Sequence, residues 1–499
     1  MTLARPLALE HVDLHVEKTR IDDRHNAGSA RTDPREREPD SMAWLVAAEL
    51  ASGILGFGVT VGLARRLGTG GFATFEFASA VSAWLLVVVR GSLDTIVTRE
   101  ASRRPRLLRS LMGLLFGFRL ALACACLGIV AVLASVSDNS LRPTLLIAAL
   151  VLIPSSLACD IGLRISGRFR ALALAQVARI ASLAIATTYL VAPAGNPAVA
   201  AGCVMLVECI GSLFLMRFHL RDQAMPRPRV RRRAWFVLAR RGAVTGAIRF
   251  CRVSLYACDI LTLGAVAAFG VLGCYAAARR VTLALLAVGL VVPTAIAPGV
   301  ARAWLIGREE TRILIHKGST TLMLTAWPAT VGLAMTADRW MPLLFGERYR
   351  EGGPWLALLV ARTPFILESN VQQAVLIACR REREALCHVG LMMSVAALLL
   401  PLAAVLDGPR SVGLVMLAIE AGGAIAGARA LANLGLAPAR GRDVGAVLAG
   451  CAGMTLVCGL GHAWPLPSIV IMSVFVYSVI LVLLSRPEWF TWSRGRART

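Results

Sequence analysis

The stretch AVAAGCVMLVECIGSLFLM (198–216), followed directly by RFHLRDQAMPRPRVRRRAWFVLARR (217–241), decides how the chain is read. The first part is apolar over the length of a bilayer core, with Glu208 its one acidic side chain. The second carries nine arginines and two prolines. An apolar helix that ends on a dense cationic connection is the pattern of a membrane span whose end lies on the cytoplasmic side.

Outward from this point the same alternation covers most of the chain. Of 499 residues, 57% are apolar and 17% charged, against about 45–50% and 25% in an ordinary soluble domain. Apolar runs of spanning length fall near 42–64, 72–89, 111–135, 144–159, 171–191 and 198–216 before the basic connection. They resume near 242–267, 272–301, 320–337, 354–377, 385–406, 411–432, 444–462 and 467–484. Backbone polar groups in hydrocarbon must be satisfied within the segment or in a closed barrel, so such runs are predicted helices. The expected fold is all-α and polytopic, with about 14 transmembrane helices.

With the N-terminus inside, the inner loops and C-terminal tail hold 31 Lys and Arg and the outer loops seven, as the positive-inside rule requires. Both termini are therefore expected in the cytoplasm, and the protein in the inner (plasma) membrane. The net charge of +23, carried almost wholly by arginine, is then topology, and no nucleic-acid partner is expected. Trp44, Trp304, Trp340, Trp355, Trp464 and Trp489 fall at span ends, where an interfacial belt would sit. Residues 1–41 are polar and expected to be a disordered cytoplasmic tail. Met42, directly before the first run, is the expected true start.

The basic connection divides six spans from eight. GCVMLVECIG (202–211) resembles GLVMLAIEAG (413–422), and GTGGF (68–72) resembles GVLGCY (270–275), at nearly the same separation. The expected organisation is a six-helix lobe over 42–216, a cytoplasmic linker over 217–241, and a second six-helix lobe over 242–437. An additional helix pair over 438–485 and a basic tail over 486–499 follow. Parallel repeats of this kind are a transporter pattern, with the substrate site between them.

Three stretches resemble a known family. RLGTGGFATF (66–75) is similar to the first outer turn of polysaccharide (O-antigen type) flippases of the multidrug/oligosaccharidyl-lipid/polysaccharide exporter superfamily. DILTLG (259–264), GVLGCYAAARR (270–280) and the helix end from Pro293 to Trp304 look like their seventh and eighth spans. LFGERYREGGPWL (344–356) resembles their loop into span ten. The resemblance implies a carrier that moves an isoprenoid-diphosphate-linked oligosaccharide from the inner to the outer leaflet by alternating access. The implied partners are that lipid-linked oligosaccharide, membrane lipids and the polysaccharide polymerase machinery. The long N-terminal tail and the Arg-rich, Ala-rich helices depart from the family pattern.

Ionisable groups at membrane depth cost about 2.5–3.5 kcal/mol on insertion scales, so they are expected to face a cavity or a partner. Seven arginines qualify: Arg119, Arg179, Arg249, Arg252, Arg279, Arg280 and Arg362. Arg249 and Arg252, three apart on one helix, are expected to bind a diphosphate bidentately, with Arg279, Arg280 and Arg362 extending a cationic lumen. The alternative is that they pair with Asp259, Glu368 or each other's helix carbonyls, or snorkel toward the inner face. Asp259, Glu368, Asn370 and Gln372 form the expected polar lining, together with Gln373. Glu208 and Glu420, at matching places in the repeat, are candidates for coupling proton uptake to resetting of the empty carrier. Glu49, Glu76 and Asp94 are further candidates.

Other classes lack their chemistry. There is no Walker lysine motif and no Asp-x-Asp, and the seven histidines and twelve cysteines show no metal-ligand spacing. No catalytic residue, metal or cofactor is expected. The alternatives are a peptidoglycan-precursor or drug exporter of the same superfamily, or a membrane polysaccharide polymerase or ligase.

Overall fold

A computed structural model describes residues 38–91, 93–103, 108–191, 195–220, 232–436, 441–461 and 463–484. The N-terminal tail before Glu38, the middle of the basic connection and the basic tail from 486 onward lie outside these residues. Among the described residues every regular element is helical and no strand occurs.

The first set of helices is α1 (Glu38–Arg90), α2 (Leu93–Arg103), α3 (Leu108–Val136), α4 (Leu141–Ala149), α5 (Leu152–Ser156), α6 (Asp160–Ile165), α7 (Phe169–Ala186) and α8 (Pro197–Leu220). The second set begins with α9 (Arg232–Val266), α10 (Phe269–Gly289), α11 (Val291–Ile306), α12 (Arg308–Met335) and α13 (Ala337–Phe345). It continues with α14 (Gly353–Ala361), α15 (Thr363–Ala378), α16 (Glu382–Asn433), α17 (Gly441–Leu460) and α18 (Leu466–Leu484).

Among the described residues, eight helical segments are long and apolar enough to cross a membrane. Two of them each contain a pair of the expected runs. In α1 the helix breaks at Gly68 (φ 69°), and in α16 at Asp407 and Gly408 (φ 54° at the glycine), where a side chain on the glycine would be strained. The other expected runs of the second set, in α9, α12, α14–α15 and α17, fall outside those eight: charged residues interrupt α9, threonines and a proline dilute the apolar run of α12, α14 and α15 are separated at Arg362, and the apolar part of α17, Val444–Leu460, is shorter. α14 and α15 meet at Arg362 because Pro364 lacks an N–H and interrupts the hydrogen-bond ladder there. The break leaves Arg362 at a bend inside the bundle.

Within the first set, α1 packs along α4 and α7, and α7 along α8. In the second set, α9 lies along α16, α15 along α16, and α12 against α11 and α17. α1 makes the main crossing between the sets, against α10 and α9. Leu398, Leu402 and Val405 of α16 are exposed large apolar side chains of the kind a lipid-facing surface presents. α2 is different: Leu93, Ile96, Val97 and Ala101 form one buried stripe against Leu108, Met112 and Phe116 of α3, and its other face is polar.

Candidate functional site

The helical periodicity of α9 presents its residues to three neighbours. Phe250 and Ser254 face α1, where Trp84 Nε1 donates to Ser254 Oγ at 2.8 Å and its ring lies 5.7 Å from Phe250. Arg252, Tyr256 and Asp259 face α15 and its junction with α14. Arg249 falls between those two faces and is exposed, with no ion-pair partner among the described residues. At about 100° per residue, Arg249 and Arg252 are about 60° apart, enough to leave one exposed and carry the other into the packing. The expected paired clamp of two guanidiniums is therefore divided in this structure.

Asp259 is fully buried and saturated with donors. Arg362 Nη2 donates to Oδ2 at 2.7 Å, the Tyr275 hydroxyl to the same oxygen at 3.1 Å, and the Ile260 N–H to Oδ1 at 2.7 Å. Arg279 Nε lies 3.4 Å from Oδ1, and its Nη2 donates to the Tyr256 carbonyl. Arg279 and Arg362, expected to extend the lumen, thus share one carboxylate. Tyr256 and Tyr275 were not among the sequence candidates. Tyr256 could have been found, since it sits four after Arg252 and three before Asp259 on one helix face.

Arg252 and Glu420 are held more loosely. Arg252 Nε donates to Gln373 Oε1 at 3.3 Å, while Nη1 stands 4.0 Å from Glu420 Oε2. Both terminal nitrogens of Arg252 and both oxygens of the fully buried Glu420 have no hydrogen-bond partner among the described residues.

Glu208 occupies a different environment from Glu420. Arg179 Nη1 donates to its Oε2 at 2.8 Å and Ser155 Oγ to its Oε1 at 3.2 Å, on a half-exposed surface of the first set. The Val-Met-Leu repeat places the two carboxyls at like positions, but their partners come from helices the repeat does not match. Arg280 Nε donates to both oxygens of the buried Glu76 at 2.9 Å, so this pair joins α10 to α1. Arg119 is buried against Asp94 of α2. Asn370 Nδ2 donates to the Tyr256 hydroxyl at 2.8 Å, and Gln372 Nε2 to the Ala424 carbonyl at 2.9 Å. Glu368 accepts from Ser319 Oγ at 3.3 Å and from Gln372 Nε2 at 3.4 Å.

An apolar groove of about 480 Å³ opens on the other side of α15. Trp327, Phe365, Ile425 and Val444 line it, and Glu368 and Arg429 are its charged lining. α15 thus has the groove, with Glu368 in its lining, on one face and the arginine cluster on the other.

The two sets also meet in a latch beside Gly68. Arg65 Nε and Nη2 donate to the carbonyls of Leu344 and Leu343 at 2.7 and 2.6 Å, closing the C-terminal end of α13. The Tyr349 hydroxyl donates to the Ala64 carbonyl at 2.8 Å, and its ring packs edge-on against Phe72. Burial pushes this hydroxyl above the ordinary tyrosine range, so it stays a donor at any physiological pH. Gly273 sits directly on the backbone of Thr69, where a Cβ would have no room. At the opposite end, Phe118 of α3 packs edge-on against Trp235 of α9 and Arg241 lies 3.7 Å from Glu100. The sets therefore touch in two separate places.

A family model described as polysaccharide biosynthesis protein matches residues 62–353. Among solved structures, the chain is similar to a lipid II flippase MurJ in an inward closed conformation, with a TM-score of 0.75 at 14% identity, covering 88% of this chain and 98% of that one. It is also similar to an inward-facing multidrug resistance MATE family transporter of the MOP superfamily, with a TM-score of 0.57 at 12% identity over 80% of this chain and 100% of that one. The eukaryotic MATE transporter AtDTX14 gives 0.52 at 12% identity, covering 80% and 96%. No curated protein matches the sequence. The fold is that of the MurJ and MATE transporters, and none of these three structural neighbours is an enzyme.

Proposed function

The chain belongs to the polysaccharide biosynthesis protein family, and from that premise we propose that it carries an isoprenoid-diphosphate-linked oligosaccharide from the inner to the outer leaflet. The two sets of helices act as the two lobes of an alternating-access carrier with fourteen crossings, both termini in the cytoplasm and the latch beside Gly68 on the outer side. The observation that carries this reading is the double role of α15. A charged polar cluster borders one face and an apolar groove the other, which suits a ligand with an anionic head and a long apolar tail.

In this reading Arg249, exposed at the gap, meets the diphosphate first. Arg252 lies one turn further along α9. Arg279 and Arg362, fixed on Asp259, supply a standing positive field, and Arg280 belongs to the contact between lobes. Asn370 and Gln372, with Glu368, offer hydrogen bonds to sugar hydroxyls. The groove beside Trp327 and Phe365 receives the isoprenoid chain, with α17 as one wall. The likeness to a lipid II flippase favours one second reading, export of a peptidoglycan precursor, which shares the diphosphate and the isoprenoid chain and differs in the glycan. The polymerase that consumes the exported unit is the expected partner at the outer face.

Deletion of the gene followed by leaflet-resolved analysis of lipid-linked oligosaccharides tests the proposal. Complete repeat units trapped on the inner face are expected. Their normal appearance outside would refute a carrier role, and unpolymerised units accumulating outside would point to a polymerase or ligase instead.

A further inference from the structure

We propose that Arg252 is a cation shared between two anions, the Glu420 carboxylate of the empty carrier and the diphosphate of a bound substrate, so that substrate binding draws a proton onto Glu420. The inference rests on the diphosphate reading above and adds a coupling device to it.

The two buried carboxylates of the second lobe differ in how they are held. Asp259 accepts from Arg362, Tyr275 and the Ile260 N–H, so each of its oxygens already has a donor. Among the described residues Glu420 has none, and its nearest guanidinium nitrogen stands at 4.0 Å, beyond the 2.7–2.9 Å of a bonded ion pair. Arg252 is anchored only through Nε on Gln373, which leaves both terminal nitrogens free to turn. The charges facing Glu420 are Arg252 and Asp259 from α9 and Arg362 from the α14–α15 junction. The other titratable groups around it are Tyr256 and Cys258 on α9, and His388 on the first half of α16 faces Arg252 with its Nε2 2.8 Å from the Gly423 carbonyl oxygen.

Arg252, Arg279 and Arg362 against Asp259 and Glu420 leave one positive charge in excess. A diphosphate arriving beside Arg249 meets Arg252 after a turn of about 60° around α9. When Arg252 turns to the phosphate oxygens, Glu420 is left as a buried anion without a counter-charge. Solvent then supplies a proton, an O–H bond forms at one Glu420 oxygen, and the carboxyl becomes neutral. Release of the diphosphate reverses both steps. Linkage makes the effect reciprocal: a proton on Glu420 tightens diphosphate binding by the factor by which diphosphate favours that proton. Glu208 cannot take this part, because Arg179 and Ser155 both hold it directly.

The test uses the full chain in lipid nanodiscs, with geranyl diphosphate titrated calorimetrically in two buffers of different ionisation enthalpy. At about pH 8, above the second ionisation of a phosphate monoester, the free ligand contributes little proton exchange. Wild type is expected to take up close to one proton per ligand bound. Glu420→Gln, which mimics the protonated carboxyl, is expected to take up none and to bind at least about tenfold more tightly. Arg252→Ala is expected to bind weakly with no uptake. Binding by wild type without proton uptake, or equal uptake by Glu420→Gln, overturns the shared-cation proposal and leaves the diphosphate reading standing. Failure of wild type to bind geranyl diphosphate overturns both.

Discussion

Asp259 is the counter-charge for two arginines that water barely reaches, and Asp259→Asn removes it while keeping the side-chain volume. Arg362 and Arg279 retain only 5% and 10% of their side-chain exposure, so neither guanidinium gains a solvent shell when the carboxylate is lost. Breaking a buried pair by deleting one partner costs about 3–5 kcal/mol. Two stranded cations place this change at the upper end, against a total stability of about 5–15 kcal/mol for a typical fold. Arg362→Gln is expected to cost less, about 1–3 kcal/mol, because Asp259 keeps Tyr275, the Ile260 N–H and Arg279. Arg279→Gln should cost least, since its contact with the carboxylate is the longer one at 3.4 Å. The double variant Asp259→Asn with Arg362→Gln should be less damaged than the sum of the two by about 1 kcal/mol or more, because the pair is lost only once. Equilibrium unfolding in mixed detergent micelles reads all four. Asp259→Asn within about 0.5 kcal/mol of wild type, or Arg279→Gln as the worst of the three single changes, would refute the reasoning.

The latch yields three further expectations. Arg65→Ala and Tyr349→Phe each remove donors from exposed or loop positions, so stability should move by about 1 kcal/mol or less. Alkylation of Cys274, which is buried in the latch with Sγ 3.8 Å from the Arg348 carbonyl, should nevertheless speed up several-fold in a background without other reactive cysteines. Gly273→Ala places a methyl against the Thr69 backbone and should cost about 1–3 kcal/mol, with the same rise in Cys274 labelling. Glu76→Gln keeps a hydrogen bond to Arg280 but loses the charge pair between lobes. Because Arg280 is one-third exposed, the loss should be about 1–2 kcal/mol, smaller than at Asp259, and unchanged stability in the same micelle assay would count against a pair that joins the lobes.

The polytopic architecture was legible because its signal is local. Each apolar run carries its own length, and the breaks at Gly68 and Gly408 sit on residues that free the backbone. The pairing of Arg279 and Arg362 with Asp259 was open in the sequence as one of two alternatives, and its resolution depended on α15 arriving opposite α9. The division of Arg249 from Arg252 was not legible. Three residues of spacing leaves them about 60° apart, and only the positions of α1 and α15 decide that this angle separates an exposed position from a packed interface. The Arg119–Asp94 contact escaped notice for a related reason, since it joins a helix interior to an amphipathic segment that the apolar pattern passes over. Arg65 and Tyr349 carried no signal at all, because what they bind is the backbone.

That last point bears on how the latch tolerates change. Its acceptors are the carbonyls of Ala64, Leu343 and Leu344, and its tight spot is the main chain of Thr69. Carbonyls survive any substitution, so a mutational scan across this region should be one-sided. The exposed accepting position Leu343 should read as nearly silent and the buried Ala64 should report only its own packing, while Arg65, Tyr349 and Gly273 report the contact. A lineage can thus rewrite the side chains at this end of one set of helices without losing its grip on the other.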